Sequence, residues 1–596
     1  MSMKKTRKIL LTAVNAKYIH SNPAIYSLRA YAKKYRDYVD IAEFTINHYV
    51  DDILQGIYRK QPDVVAFSCY IWNLDMVEQV IRELPKILPE VKIWVGGPEV
   101  SYDAKQFLQT HPQVTGVMIG EGEETFCELA GRYVRGWEGT LIETDEARRM
   151  DILPGTAQRQ ADGSIAFGAV RPVLDMNTIP FLYDDLSEFE NRIIYYESSR
   201  GCPFSCSYCL SSIDKSVRFR DTETVQKELR FFLDRKVPQV KFVDRTFNCR
   251  HSHSMAIWNY ILEHDNGITN FHFEIAADLL NEEELVLLSK MRPGLVQLEI
   301  GVQSTNEATL HEIDRVMDFE HLSQVVRRIQ EGKNIHQHLD LIAGLPQENL
   351  DSFKKSFNDV YGLYPDQLQL GFLKVLKGSK MHKNAEHYGI VFHSGPVYEV
   401  LGTKWISYGD LLLLKAVEEM VEVYYNSGQF AYTLRYLEKE FAHPFAMFEA
   451  MAQYYEEMQL SGKNHSRMGR FDILREFIYS IREKKGSLAE GRSVAFYEEL
   501  LLLDLYLREN SKSRPKWATD LTAKKSEILD FYKEEEETHQ FLKGYEGYNA
   551  KQMMHMCHVE YFSYDVLGNG EEKQCRILFD YQHRSPLNHD ARFCYV

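Results

Sequence analysis

The sequence predicts an α/β protein in three parts: a doubly wound parallel sheet, a partial six-stranded (β/α)6 barrel, and a mostly helical C-terminal domain. Three observations carry that prediction. Short apolar runs alternate with amphipathic helical segments up to about Gly136, the alternation lapses and resumes from Asn191, and after about Ser379 it gives way to long, aromatic-rich helical patterns. Strands that alternate with helices of this length form parallel βαβ units, because each crossover returns the chain to the same end of the sheet. The expected units are residues 1–136, a linker over 137–190, a barrel over 191–379 and the C-terminal domain over 380–596.

In the first unit ILLTAV (9–14), DVVAFSCY (63–70), KIWVGG (92–97) and VTGVMIG (114–120) read as buried strands. Ligands bind such sheets at the C-terminal strand ends, here the loops AVNAKYIHSN, FSCYIWN, VGGPEVSYD and IGEGEET. The basic start MSMKKTRKILLTAV has no small-residue cleavage site, so it reads as the first strand of a cytoplasmic protein rather than a signal peptide. The linker contains ADGSIAF, a hairpin turn, and TIPFLYDDL, a proline-bearing connector. Barrel strands are expected at IIYYESS, VKFVD, FHFEIAA, VQLEIGV, HLDLIAG and QLQLGFL, too few repeats to close an eight-stranded barrel. GFLKVLKGSKM (371–381) then closes the barrel, with lysines facing either a substrate anion or solvent. Near the C-terminus, HVEYFSYDV and QCRILFDYQH alternate like a strand hairpin.

A net charge of −16 disfavours nucleic acid as the main partner, since a polyanion meets repulsion over most of the surface. No apolar run approaches the ~20 residues of a membrane-spanning helix. Nine cysteines, most of them scattered, fit a reducing compartment better than a disulfide scaffold.

Three of them are not scattered. RGCPFSCSYC (200–209) places Cys202, Cys206 and Cys209 directly after a strand. Three thiolates hold three irons of a [4Fe–4S] cluster and leave the fourth iron open to a small chelating ligand. Gly201 and Pro203 suit the tight loop this convergence needs. Arg200 and the absence of nearby acidic residues are expected to keep the loop from adding charge to an anionic cluster. A structural zinc site would require four closed ligands, and no fourth Cys or His follows at suitable spacing. Buried structural cysteines are the bland alternative.

This motif, with Tyr208 before its last cysteine, resembles the radical S-adenosylmethionine (SAM) superfamily. The first unit resembles the flavodoxin-like, cobalamin-binding domain of that superfamily's B12-dependent class. GVQS (301–304), Arg315 and DLIAGLP (340–346) are similar to the oxygen-independent coproporphyrinogen oxidase branch. The resemblance implies that Gln303 and Asp340 bind the SAM ribose, that Arg315 pairs with its carboxylate, and that Glu274 contacts the methionine portion. Ile342 and Tyr208 would flank the adenine. VDRTFN (243–248) departs from the branch's Gly-Gly-Glu segment, so Asp244, Arg245 and Thr246 are placed by position alone. A salt-bridged barrel rim is the competing account of these charges. Glu299 is either a ligand-facing acid or the partner of a barrel lysine.

The first loop lacks the Asp-x-His-x-x-Gly motif by which many B12 domains ligate cobalt, so His20 reads as an ordinary polar residue. Ser68, Gly96, Gly97, Pro98, Gly120, Gly122 and Glu123 form an ordered set on successive strand ends, where glycines allow close backbone approach to a corrin. A degenerate domain that keeps the fold without the cofactor is the alternative. Cys557, Cys575 and Cys594 match no compact iron–sulfur run and read as free thiols.

The implied cofactors are a [4Fe–4S] cluster, SAM and cobalamin, with an external donor of the flavodoxin or ferredoxin type. The implied reaction is reductive SAM cleavage to a 5′-deoxyadenosyl radical and methylation of an unactivated carbon in a small-molecule or peptide substrate. A cobalamin-containing enzyme of rearrangement or cyclisation, and a redox-responsive binding protein without turnover, are the alternatives.

Overall fold

A computed structural model describes residues 7–139, 152–511 and 513–596; residues 140–151 of the expected linker lie outside this range. The first sheet contains β1 (Ile9–Asn15), β2 (Val39–Thr45), β3 (Val64–Ser68), β4 (Lys92–Gly96) and β5 (Val114–Met118), all parallel, in the order β2-β1-β3-β4-β5. Strand order therefore reverses between β1 and β3, which opens a ligand crevice at their C-terminal ends. Helices cover both faces. One of them, Leu74–Ile87, buries Leu74, Val77, Val80, Ile81 and Leu84 at helical spacing against the sheet.

Two features depart from the sequence expectation. β2, VDIAEFT, was not expected as a strand: as an edge strand it keeps only Val39, Ala42 and Thr45 buried, so no continuous apolar run marks it. The hairpin turn expected at ADGSIAF is present, but its two strands join the first sheet rather than standing in a linker. β6 (Thr156–Arg159) and β7 (Ile165–Phe167) form a hairpin that adds antiparallel to β5, and four- and three-residue strands are too short to show a period.

The barrel strands are β8 (Ile194–Tyr196), β11 (Gln239–Phe242), β12 (Asn270–Ile275), β13 (Val296–Gln303), β14 (His336–Ala343) and β15 (Gln367–Phe372). They run parallel in that order, with β8 and β15 as open edges. Between β8 and β11 lies an antiparallel clip of β9 (Ser199–Arg200) and β10 (Arg218–Phe219), which pairs Arg200 with Arg218 and closes the base of the cysteine loop. β13 shows the two faces of this sheet. Val296, Leu298, Ile300 and Val302 are buried, whereas Gln297, Glu299, Gly301 and Gln303 alternate with them on the opposite, partly accessible face.

Beyond a short hairpin, β16 (Val391–Phe392) with β17 (Val400–Gly402), the chain is mainly helical. The helix Val494–Arg508 is buried almost all round and forms the centre of this domain. The expected terminal hairpin is a three-stranded sheet: β18 (Cys557–Tyr564), β19 (Glu572–Arg584) and β20 (Ala591–Tyr595). Its register puts Cys557 opposite Asp580, Cys575 opposite Phe562 and Cys594 opposite Leu578, three separate positions. Among the described residues no helix is long and apolar enough to cross a membrane.

Candidate active site at the cysteine loop and the interdomain cavity

The cysteine loop leaves β9 through Gly201, whose φ of +96° favours glycine and where a Cβ would lie 2.7 Å from the Ser216 carbonyl. Cys202 and Cys206 are buried, Cys209 is half-buried, and all three are free thiols. The loop is pinned from outside. Ser207 donates its N–H to Ile313 (2.9 Å), and its carbonyl accepts the Met381 N–H (2.8 Å). From beneath, the fully buried Asp244 accepts the Ser198 N–H (3.0 Å) and the hydroxyls of Ser198 (2.7 Å) and Ser199 (2.5 Å). Burial pushes its carboxyl up to about 6. Asp244 thus turns its carboxylate to the stem of the loop. Thr246 Oγ1 lies 3.6 Å from Cys202 Sγ.

Arg315 reaches the loop from the barrel. Its Nη1 is 3.7 Å from Cys206 Sγ, and Nη2 donates to the Gly301 carbonyl. Gly301 leaves room for the Gln303 amide, since a Cβ there would meet Gln303 Nε2 at 2.4 Å and Arg315 Nη2 at 3.7 Å. Gln303 holds φ at 74°, where the β13–β14 register slips, and Asp340 sits opposite Gly301. Strained backbone of this kind persists where surrounding structure enforces it, commonly at ligand sites.

Gln303 Oε1, Arg315 Nε and Asp340 Oδ1 are buried without a hydrogen-bond partner, which fits a polar ligand beside Cys206. His338 Nε2, 3.0 Å from Asp340 Oδ1, makes a charge contact there rather than an aligned hydrogen bond. Ile342 is half-buried one residue pair further along β14, and Tyr208 packs partly buried on the core. Glu274 faces Glu299 across β12–β13, with Arg245 3.9 Å away, and burial raises its carboxyl to about 7.

Glu299 proves to be a lysine partner. Burial opposes its ionisation, yet His272 (2.9 Å) and Lys241 (3.1 Å) bring its carboxyl down to about 2. Of the lysines in the 371–381 segment, Lys377 pairs with Asp103 (3.1 Å), whereas Lys374 and Lys380 are exposed to solvent, Lys380 with Asp314 at 2.6 Å. Nor does that segment close the barrel, whose sheet ends at β15.

A cavity of about 1430 Å³ lies between the first sheet's strand ends, residues 167–183 and the β8 edge of the barrel. That exceeds the ~300–1,000 Å³ of ordinary small-molecule pockets. Ser68, Gly96, Gly97, Pro98, Gly120, Gly122 and Glu123 all line it; of the residues expected at the SAM site only Arg245 does, while Tyr208, Asp244, Thr246, Glu274, Gln303, Arg315, Asp340 and Ile342 do not. Gly97 has φ +115°, and a Cβ there would meet the Cys69 carbonyl at 2.4 Å, so no other residue fits. Tyr70 and Trp72 stack in the same wall with centroids 4.5 Å apart. His20 Nδ1 is 2.6 Å from the Tyr195 hydroxyl of β8, which makes the imidazole an interdomain contact.

The expectation that no acid approaches Arg200 is wrong in space. Arg200 donates to Glu121 (2.9 Å), Glu123 (3.0 Å) and Glu197 (2.7 Å), and Arg218 also reaches Glu121 (2.9 Å). Burial pushes the Glu123 carboxyl up, but the Arg200 guanidinium more than offsets this and holds it below the usual glutamate value. Glu121 and Glu123 are far from Arg200 in sequence, so only the fold brings them together.

Comparison with known proteins agrees with this geometry. The B12 binding domain matches residues 9–130, the radical SAM superfamily 196–360, and a protein family of unknown function, DUF4080, 386–579. The cobalamin-dependent radical SAM methyltransferase TokK of Streptomyces tokunonensis is 26% identical over 57% of this chain and 51% of its own length. The anaerobic magnesium-protoporphyrin IX monomethyl ester cyclase of Rubrivivax gelatinosus is 20% identical over 56% of this chain and 60% of its own. The chain therefore spans about half to three-fifths of these relatives. Among solved structures, the cobalamin-dependent SAM radical enzyme OxsB, with aqua-cobalamin and SAM bound, superimposes with a TM-score of 0.57 at 16% identity, covering 84% of this chain and 80% of that one.

Fold and site define a protein that joins a corrin-type sheet to an iron–sulfur barrel. The chain joins a B12 binding domain and a radical SAM superfamily domain to a DUF4080 segment. Its cofactors are a [4Fe–4S] cluster, SAM and cobalamin, and the three thiols, the unspent polar atoms beside Cys206 and the glycine-walled cavity fit them.

Proposed function

We propose that the chain methylates an unactivated carbon of a small-molecule or peptide substrate. The observation that carries this is one cavity walled on one side by the glycine loops of the first sheet and on the other by Arg200 and Gly201, next to Cys202. When bound, the cluster and SAM supply a 5′-deoxyadenosyl radical that takes hydrogen from carbon, and the corrin carries the methyl group.

The chain's own part is binding, orientation and exclusion of water. Cys202, Cys206 and Cys209 hold three irons. The Arg315 fork pairs with the SAM carboxylate, and Gln303 and Asp340 take the ribose hydroxyls. Glu274, recessed beside Arg245, contacts the methionine portion, while Ile342 and Tyr208 flank the adenine. Lys377–Asp103 and His20–Tyr195 hold the two domains together around the reaction space, which keeps the reacting centres aligned. The electron comes from an external flavodoxin- or ferredoxin-type donor.

The TokK relative, named as a methyltransferase, supports methylation. The cyclase relative supports a second reading, ring closure or rearrangement with the same cofactors. Anaerobic reconstitution followed by product analysis separates them. S-adenosylhomocysteine together with 5′-deoxyadenosine is expected. 5′-Deoxyadenosine alone during turnover would select the second reading, and absence of both would mean a binding protein without turnover. Cys206→Ala should lose cluster absorbance and SAM cleavage together.

A further inference from the structure

The two ends of the cysteine loop carry an electrostatic problem. β9 and β10 place Arg200 directly opposite Arg218, and like charges facing each other across an antiparallel pair destabilise it. Neither guanidinium can move far, since their side chains are only 21% and 15% exposed. The balancing charge comes from the other domain. A single oxygen, Glu121 Oε1, accepts from Arg200 Nη1 and from Arg218 Nη1, both at 2.9 Å. Glu121 Oε2 accepts from Arg218 (3.0 Å) and from the Leu174 N–H (2.7 Å), and Glu123 adds a second carboxylate to Arg200. Glu197 and Asp214 supply local charge on the barrel side. Among the described residues Glu121 alone bridges both ends of the loop, and it lines the cavity together with Gly120 and Gly122.

We propose that Glu121 and Glu123 are positioning residues that couple the corrin-side loop to the cysteine loop through Arg200 and Arg218. The proposal rests on the functional reading above. A corrin in the cavity touches the loop that carries Glu121, and SAM on the cluster requires the loop that Arg200 and Arg218 close. Each ligand therefore settles the same ion-pair cluster for the other. Coupling of this kind is reciprocal: SAM must tighten corrin binding by the factor by which corrin tightens SAM binding.

The test measures hydroxocobalamin affinity with and without SAM, and SAM affinity with and without hydroxocobalamin, on the cluster-loaded full chain. The expected wild-type factors are equal and within the range of about 5–150-fold found for coupled sites. Glu121→Gln should bring both factors close to one, and Glu121→Asp should restore part of them. A residue that merely stabilised the fold would change both affinities and leave the factor intact. Should Glu121→Gln load iron poorly because its two arginines now repel, Glu121→Gln/Arg218→Gln removes that repulsion; it should recover iron without recovering the coupling. Wild-type coupling in either variant overturns the proposal. A wild-type chain that binds both ligands independently overturns it too, while leaving the functional reading intact. A wild-type chain that takes no corrin overturns both.

Discussion

Removing the Asp244 carboxylate tests what holds the cysteine loop in place. The carboxylate is fully buried and meets one backbone N–H and two hydroxyls of the loop stem. Asp244→Ala strands the Ser198 N–H, and an unmet buried donor costs about 1–3 kcal/mol. The Ser198 hydroxyl keeps a second contact, His253 Nε2 at 3.0 Å, so its loss is smaller. Hydrogen bonds to a charged acceptor contribute about 1.5–3 kcal/mol each, which the removed cost of burying the charge partly offsets. A net penalty on the order of 3 kcal/mol remains, roughly a hundredfold drop in chains whose loop is correctly held.

The assay is iron and sulfide per chain after anaerobic reconstitution, with SAM affinity measured on the same sample. Asp244→Ala should load little cluster. Asp244→Asn keeps one acceptor oxygen and should fall between it and the wild type. The opposite pattern refutes the stem role: full iron in Asp244→Asn with SAM binding lost would make this carboxylate a SAM ligand.

Stability of the cofactor-free protein should fall as pH rises. Burial raises Asp504, Glu348 and Glu274 to about 7, against roughly 3.9–4.3 in an unfolded chain. Between about pH 4 and 7 the folded chain therefore holds more protons than the unfolded one, and its advantage shrinks as these groups ionise. The midpoint of thermal unfolding should drop from pH 5 to pH 8, and Asp504→Asn should flatten the slope; a rising midpoint contradicts the assignment. Gly97→Ala forces a side chain into φ +115° and onto the Cys69 carbonyl, a strain of about 1–3 kcal/mol before any clash. It should weaken hydroxocobalamin binding without lowering cluster iron, and unchanged corrin affinity would count against the cavity assignment. Because the first loop lacks the Asp-x-His-x-x-Gly motif and Tyr195 holds His20 Nδ1, His20→Ala should leave the absorption spectrum of bound cobalamin unchanged, and a spectral shift would make it a cobalt ligand through Nε2.

Much of this architecture was legible because its signals are local. A thiolate triad needs a short loop, and Cys202, Cys206 and Cys209 lie within eight residues. Buried parallel strands such as β1, with every residue covered, announce themselves as continuous apolar runs. The edge strand β2 did not, since a strand covered on one side carries Asp40 and Glu43 among its apolar residues. The same contrast runs through the site. Glycine loops at strand ends can be read one at a time, and all of those singled out line one cavity. Ion pairs cannot be read that way. The two cross-domain acids of Arg200 lie in the first domain, far from it in sequence, and sequence position does not reveal that the Asp244 carboxylate is bonded to the loop stem. The cysteines are gathered in one short loop that the sequence displays, whereas the contacts of Glu121 and Asp244 with the stem of that loop, and of His20 with Tyr195 at the barrel edge, are assembled only by tertiary packing.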